Sequence, residues 1–199
     1  MAAALVVLGY LAGCVPSGLL LGRRAGIDVR RSGSGNIGAT NVARSAGGVL
    51  GLATLVADAA KGALPVLLAR ALHGRPAVAT AAGVAAFLGH VFPVTLRFAG
   101  GKGVATALGV LLVISPLAVV CALGVLVVAF LLARYVSLAS VLAAIVVPIA
   151  TAALGYPRST LAAGVVMSAI IVVRHRENVA RLRAGTEPRF ALPKKQAAP

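Results

Sequence analysis

Long apolar runs separated by short basic segments decide what this chain can fold into. Six runs with few or no charges follow one another along the 199 residues: 2–22, 46–69, 76–96, 103–133, 135–157 and 159–173. A helix of about 20 apolar residues crosses the hydrocarbon core of a bilayer. A soluble domain of this length has too much surface for its volume to hide a chain that is 60% hydrophobic. The sequence therefore predicts an all-α integral membrane protein.

The run 103–133 decides the number of spans, because it is long for one helix and short for two. Ser115 and Pro116 lie near its middle, where a proline can end one helix and begin another. If the run is two helices, 15 of the 19 Lys and Arg residues lie on one side of the membrane and 3 on the other, with Lys61 inside a span. One helix would give a 10-to-8 split. Because basic residues concentrate in the cytoplasm, we expect seven spans, some short, with the amino terminus outside and the carboxyl terminus cytoplasmic.

Charge and composition narrow the partners of the chain. We expect a single membrane-embedded domain over 1–199 with a basic cytoplasmic tail at about 174–199. The net charge of +15 favours contact with the lipid bilayer and with anionic small molecules, and not with nucleic acid, since the chain has only three Tyr, five Phe and no Trp. Cys14 and Cys121 lie in apolar runs and form no disulfide or metal-binding pattern.

The predicted topology places three polar segments on the cytoplasmic face. The first, 31–44, is rich in glycine, hydroxyl and amide side chains and ends in Arg44. Glycines let backbone N–H groups approach an anion, and the side chains add donors, so this composition favours a phosphate site over a flexible loop. The candidate ligands are Ser34, Asn36, Thr40, Asn41 and Arg44.

The other two polar segments carry weaker signals when each is taken alone. Gly100-Gly-Lys-Gly103 opens a helix whose amino end favours anions, although a glycine-rich turn with a lysine reaching the interface explains it equally well. It is not a Walker A loop, because Leu96 and Gly103 occupy the deciding positions. His175 and Asn178 share a face if 174–187 is helical, and a basic helix on lipid headgroups is the alternative there.

Ionisable residues inside the spans, and the distribution of carboxylates, limit the chemistry further. Asp58 and Lys61 are three residues apart in the second span, where they are expected to pair with each other, and His90 is expected to pack as a hydrogen-bonded core residue. The four carboxylates are scattered, so we expect neither a metal site nor a cofactor. No histidine is followed five residues later by aspartate, which excludes the His-x-x-x-x-Asp arrangement of common glycerolipid acyltransferases.

Taken together, the three segments resemble the motifs of the bacterial PlsY family, the acyl-phosphate-dependent glycerol-3-phosphate acyltransferases. The matching stretches are Ser34-Gly-Asn-Ile-Gly-Ala-Thr-Asn-Val-Ala-Arg44, Gly89-His-Val-Phe-Pro with Gly100-Gly-Lys-Gly-Val-Ala-Thr106, and His175-Arg-Glu-Asn-Val-Ala-Arg-Leu-Arg-Ala-Gly-Thr-Glu187. Asp58-Ala-Ala-Lys-Gly-Ala-Leu-Pro65 is also similar to a segment of that family. Order and spacing agree along nearly the whole chain, up to Arg189.

The resemblance implies an enzyme of the bacterial inner membrane with its active site facing the cytoplasm. It would move a fatty acyl group from acyl phosphate to the 1-hydroxyl of sn-glycerol 3-phosphate, giving lysophosphatidic acid and phosphate, the first acylation of phospholipid biosynthesis. The expected catalytic residues are Arg44, Lys102, His175 and Asn178, and the expected substrate-binding residues are Ser34, Asn36, Thr40, Asn41, Gly100, Gly101, Gly103 and Ser140. The assignment of Ser140 as a substrate-binding residue rests on the resemblance alone. The proton of the attacking hydroxyl goes either to His175 or to a substrate phosphate oxygen, and the resemblance favours the phosphate.

Two other classes of function compete with this reading. A small transporter would place its polar groups at the bilayer midplane on broken helices, whereas here only Asp58 and Lys61 lie deep in a span. A non-catalytic scaffold for anionic lipid would explain the basic tail but not the glycine-rich segments.

Overall fold

Helices form nearly all of the regular structure in the computed structural model, which describes residues 1–191. Within that part of the chain there are ten α-helices and no strand. In chain order they are α1 (Ala2–Gly13), α2 (Ser17–Arg24), α3 (Ala39–Ala46), α4 (Gly48–His73), α5 (Pro76–Val91), α6 (Val104–Ile114), α7 (Pro116–Ala133), α8 (Val136–Ala153), α9 (Arg158–Arg174) and α10 (Arg176–Arg183). A short 3-10 turn follows α5 at Val94–Leu96. The prediction of an all-α membrane protein is confirmed.

Five helical segments in residues 1–191 are long and apolar enough to cross a membrane, and a sixth arises if α9 and α10, bent by 51°, count as one span. The first of the five combines α1 and α2. Helix α6 is apolar but has only 11 residues, so at 1.5 Å per residue it is about 16 Å long and covers roughly half of the hydrocarbon core. The count of seven spans and their orientation remain predictions.

The long apolar run 103–133 is broken where the sequence analysis placed the break. Helix α6 ends at Ile114, and Pro116 is the first residue of α7. The N–H group of Ser115 donates to the carbonyl of Leu111 at 2.7 Å, which closes the last turn of α6 before the chain changes direction. The proline has no N–H to contribute, and at the first helical position none is needed.

The first apolar run differs from the expected single helix, because it breaks between α1 and α2 at residues 14–16. The proline interrupts the helical hydrogen-bond pattern, and the Cys14 and Val15 carbonyls lie at the break. Side chains of other segments donate to both: Lys61 Nζ to the Val15 carbonyl at 2.7 Å, and Thr95 Oγ1 to the Cys14 carbonyl at 2.9 Å. A break at membrane depth requires such partners, because lipid offers none.

Small residues let the helices around the site pack closely. A Cβ atom at Gly9 or Gly13 of α1 would collide with the backbone of α5, and one at Gly109 of α6 would collide with the backbone of α4. Close backbone approach through glycine is the usual way to pack helices in a membrane, where apolar burial drives association weakly. The resulting core includes Phe87 and Val110 and brings the last turns of α5 and α9 beside the start of α6.

Candidate functional site

A polar cavity of about 390 Å³ lies between the loop before α3, the turn before α6 and the α9–α10 junction. Four cationic side chains and one carboxylate line it: Arg30, Lys102, Arg174, Arg181 and Glu177. Such an excess of positive charge, close to backbone and side-chain donors, suits a ligand with several negative charges. Among the predicted site residues, the cavity is lined by Ser34, Asn36, Gly100, Lys102 and Asn178.

One buried amide, that of Asn41, holds the loop before α3 in shape. Its Nδ2 donates to three backbone carbonyls, those of Val29 at 2.8 Å, Ser32 at 3.0 Å and Asn36 at 2.8 Å. Its Oδ1 accepts from the N–H of Ser34 at 2.8 Å. Asn41 is 3% exposed and is not among the cavity-lining residues. It thus shapes the loop that presents Ser34 and Asn36, whereas the sequence predicted it as a direct ligand.

The glycine turn before α6 depends on the absence of side chains. A Cβ atom at Gly100 would collide with the carbonyl of His90, and one at Gly101 would collide with the His90 imidazole. Arg174 holds the other side of the turn, since its guanidinium donates to the carbonyls of Gly100 at 2.9 Å and Gly101 at 3.3 Å. Gly103 has a φ of +84° and lies against the Phe87 ring, so both backbone and space require glycine there.

A chain of hydrogen bonds connects Lys102 to the carboxyl-terminal part of the described chain. Lys102 Nζ donates to Asn178 Oδ1, and Asn178 Nδ2 donates to Glu187 Oε1 at 2.6 Å. Ser137 Oγ donates to the same carboxylate oxygen at 2.7 Å, while Arg181 Nε donates to Oε2 at 2.8 Å. The two faces of the Asn178 amide are therefore fixed, with its oxygen toward the lysine and its nitrogen toward the carboxylate.

Burial changes the acidity of this chain of groups. It lowers the pKa of Lys102 from 10.5 to about 8, although the nearby Glu187 carboxylate opposes that change. Burial alone would raise the pKa of Glu187, but hydrogen bonds from Asn178, Ser137 and Arg181 outweigh it, so the pKa of that carboxyl lies below its ordinary value. At neutral pH this hydrogen-bonded series therefore has the Lys102 ammonium at one end and the Glu187 carboxylate at the other.

His175 lies at the junction of α9 and α10 and is 3% exposed. Its Nδ1 is 2.8 Å from the Ile171 carbonyl, which fixes the proton on Nδ1 and leaves the lone pair on Nε2. Burial, followed by the charge of Lys102, lowers its pKa to about 4. The imidazole is therefore neutral at pH 7 and a weak base, and it is not among the residues that line the polar cavity.

Arg44, which the sequence analysis expected in the site, contacts the carboxyl-terminal segment instead of lining the cavity. Its Nη2 donates to the Pro188 carbonyl at 3.2 Å, and its guanidinium carbon lies 5.9 Å from the centroid of the Phe190 ring. Thr40 also does not line the cavity. Both residues belong to the helix that follows the Asn41-organised loop.

A second, apolar cavity of about 70 Å³ lies between α6, α7, α8 and α9. Ser140 lines this cavity together with Val104 and Met167, so the structure separates Ser140 from the polar residues with which it was grouped. Lys102 lines the polar cavity and Val104 the apolar one, and they are two residues apart. The two cavities are therefore lined by residues that are close together in the chain at the amino end of α6.

Sequence reasoning missed five charged residues that the structure places in this site: Arg30, Arg174, Glu177, Arg181 and Glu187. Signals for them were present, because Arg174, Glu177, Arg181 and Glu187 stand in or next to the third motif and Arg30 directly precedes the first polar segment. The pairing expected inside the second span is confirmed, with Lys61 Nζ 2.8 Å from Asp58 Oδ1.

Comparisons with known proteins match the chain over nearly its full length. Residues 3–185 match the family model described as glycerol-3-phosphate acyltransferase. The chain is 53% identical to the glycerol-3-phosphate acyltransferase of Myxococcus xanthus over 194 residues, covering 96% of this chain and 100% of that one. It is 50% identical to the enzyme of that name from Geotalea daltonii over 186 residues, covering 94% and 96%.

Two solved structures share the fold. One is PlsY, an integral membrane glycerol 3-phosphate acyltransferase, in its glycerol 3-phosphate form, with a TM-score of 0.91, 43% identity and 96% coverage of each chain. The other is the lysophosphatidic acid form of PlsY, with a TM-score of 0.89, 42% identity and coverage of 96% and 95%.

Proposed function

This chain belongs to the glycerol-3-phosphate acyltransferase family represented by PlsY, and from that membership we propose that it transfers a fatty acyl group from acyl phosphate to the 1-hydroxyl of sn-glycerol 3-phosphate. The products are lysophosphatidic acid and inorganic phosphate, at the entry to phospholipid biosynthesis. The observation that carries the proposal is that Lys102 and Val104, two residues apart, line two different cavities, one with four cations in its lining and one apolar.

The polar cavity suits the two phosphates of this reaction. Glycerol 3-phosphate and acyl phosphate each carry negative charge, and both must lie near the reacting carbonyl. Arg30, Lys102, Arg174 and Arg181 offset that charge, with Glu177 as the one opposing group in the lining. Cationic donors fixed in a partly dehydrated site stabilise the leaving phosphate without rearrangement during the reaction.

The apolar cavity suits the acyl chain of the donor. Its lining runs along α6 from Val104 to Leu111, a distance of about 10 Å at the helical rise of 1.5 Å per residue. Burial of methylene groups there contributes about 0.8 kcal/mol each, which favours a bound acyl chain whose carbonyl end lies toward Val104 and Lys102.

The chemical step needs little activation, since acyl phosphate is a mixed anhydride. The 1-hydroxyl oxygen attacks the carbonyl carbon, the bond from that carbon to the phosphate oxygen breaks, and phosphate leaves. We assign the hydroxyl proton to a phosphate oxygen, because phosphate has a pKa near 6 and is a better base at neutral pH than a histidine with a pKa of about 4. His175 then contributes a neutral, fixed imidazole beside Lys102.

Donor choice gives a direct test. We expect purified protein to acylate radiolabelled glycerol 3-phosphate with palmitoyl phosphate, and to do so equally in EDTA. Palmitoyl-CoA should support less than about a tenth of that rate, because its thioester brings no phosphate leaving group to the cationic cavity. Comparable turnover with palmitoyl-CoA, or loss of activity in EDTA, contradicts the proposed donor and mechanism.

We also propose that the site faces the cytoplasm of a bacterial inner membrane. In a variant without Cys14 and Cys121, the substitutions Asn36→Cys and Thr186→Cys should react with a membrane-impermeant maleimide only after the cells are permeabilised. Arg75→Cys, between α4 and α5, is the matched control and should react in intact cells. Labelling of position 36 or 186 in intact cells contradicts this orientation.

Arg44 remains a proposed catalytic residue, in keeping with the family resemblance. Arg44→Ala should lower turnover at saturating glycerol 3-phosphate by about tenfold, because one charge-assisted contact to phosphate contributes about 1.5–3 kcal/mol. Arg44→Lys should recover little of the loss, since an ammonium does not replace the planar fork. Normal turnover in Arg44→Ala would restrict Arg44 to its contacts with Pro188 and Phe190.

A further inference from the structure

The turn that carries Lys102 rests on His90, a buried residue in the last turn of α5. The His90 carbonyl accepts a hydrogen bond from the N–H of Gly101 at 3.1 Å. The imidazole lies so close beneath Gly101 that a Cβ atom there would collide with its Nε2. Backbone and side chain of His90 thus both contact the turn.

The opposite edge of the imidazole faces a buried ion pair. His90 Nδ1 is 3.7 Å from Asp58 Oδ1, too long for a hydrogen bond, and it has no hydrogen-bond partner within residues 1–191. Asp58 is fixed in turn by Lys61 at 2.8 Å, and Lys61 donates to the Val15 carbonyl at the break between α1 and α2. The ring therefore stands between a carboxylate held inside the bundle and the glycine turn.

The turn needs this support because glycines supply no side chains of their own to fix it. Arg174 holds the turn from the other side, but its guanidinium also lines the polar cavity, where an incoming phosphate competes for the same donors. His90 does not line that cavity. Its contact with Gly101 can therefore persist when substrate binds.

We propose that His90 is a positioning residue, whose imidazole sets the place of the Gly100–Lys102 turn and thereby the position and hydration of the Lys102 amine. The effect of His90 on turnover rests on the function proposed above. Its effect on the acidity of the Lys102 amine does not, so the acidity and the turnover can be tested separately.

The acidity of Lys102 reports its hydration. The groups that face its amine are the carboxylates Glu187 and Glu177, the guanidiniums of Arg181 and Arg174, the Asn178 amide and the His175 imidazole. Burial is the main cause of its lowered pKa, and that value is about 8. A turn that loses its support admits water to the amine, so the pKa of Lys102 rises toward its ordinary value.

The test is competitive acetylation of Lys102 by acetic anhydride as a function of pH, read by mass spectrometry on the purified full-length protein. The variants are His90→Ala and His90→Gln, with His73→Ala and His73→Gln as matched controls. His73 is also a histidine whose buried Nδ1 lacks a hydrogen-bond partner, but it lies in the last turn of α4, at the opposite end of α5 from the site.

We expect the labelling midpoint to be near 8 in the wild type and in both His73 controls. In His90→Ala it should rise by about one pH unit, and in His90→Gln by less, because the glutamine amide reaches the place of Nε2. The kcat/KM for glycerol 3-phosphate should fall about tenfold in His90→Ala and be partly rescued in His90→Gln.

Unchanged midpoints in both His90 variants, or an equal rise in the His73 controls, would overturn the inference. If His90→Ala does not fold, the midpoint of His90→Gln decides: a rise supports the role and no rise contradicts it. A wild-type protein that fails to acylate glycerol 3-phosphate would refute the proposed function and leave the labelling result valid.

Discussion

Lys102→Ala is expected to reduce kcat/KM for glycerol 3-phosphate by about a hundredfold, with the protein still inserting and purifying. Lys102 lines the polar cavity two residues before Val104, which lines the apolar one, so its ammonium is placed to stabilise the leaving phosphate in the proposed reaction. A charge-assisted hydrogen bond of about 3 kcal/mol corresponds to about two powers of ten in rate. Lys102→Met, which keeps the length of the side chain but not its charge, should show the same loss.

The same lysine predicts the alkaline limit of the wild-type enzyme. A lysine whose pKa is lowered to about 8 is charged below that pH and neutral above it, so kcat/KM should decline as the pH rises through about 8. Arg183→Ala, which removes a charge from the exposed face of α10, is the control and should keep near-normal rates and the same pH profile. Wild-type rates in Lys102→Ala would exclude the lysine from the site.

Asn41→Asp is expected to be the most damaging near-isosteric change in the first polar segment. The carboxylate keeps the acceptor for the Ser34 N–H but turns a second oxygen toward three backbone carbonyls that in the wild type accept hydrogen bonds from Nδ2. The loss of the hydrogen bonds from Nδ2, together with repulsion between the new carboxylate oxygen and the carbonyl oxygens, should destabilise the loop by roughly 3 kcal/mol or more. Ser34 and Asn36 would leave the cavity wall, so activity should fall about a hundredfold.

The measurements for Asn41 are turnover and the Tm of the purified protein. Asn41→Ala should lie between wild type and Asn41→Asp, because it removes the hydrogen bonds without adding a charge. Ser32→Ala is the control, since Ser32 contributes its backbone carbonyl to this arrangement and the substitution keeps it. Equal Tm and turnover for Asn41→Asp and Ser32→Ala would show that the amide does not hold the loop.

The three motifs illustrate how far the site could be predicted. Glycine, hydroxyl and amide composition selected three segments, and five of the predicted residues line one polar cavity: Ser34, Asn36, Gly100, Lys102 and Asn178. Composition could not tell which polar side chains face the ligand and which face the protein. Asn41 and Asn36 are both asparagines in one short segment, yet one is turned inward to three carbonyls and the other lines the cavity.

Contacts between residues far apart in the sequence were the ones that the sequence could not predict. Arg44 and Pro188 are 144 positions apart, and Arg174 and Gly100 are 74 positions apart. Ser140 was grouped with the phosphate ligands, but the direction of its face on α8 places it in the apolar cavity. These outcomes depend on how helices rotate and pack against each other, which no local pattern records.

The sequence by itself determined that this chain is a helical membrane protein and that the run 103–133 breaks at Ser115–Pro116. Those properties follow from the lengths of apolar runs and the backbone of proline, both of which are local. Only the tertiary structure decided that the Glu187 carboxylate fixes Asn178 against Lys102, and that His90 lies against the turn that carries that lysine. The hydrogen-bond partners of a buried polar group are whatever the folded helices bring within about 3 Å, so they exist only once the whole bundle has packed.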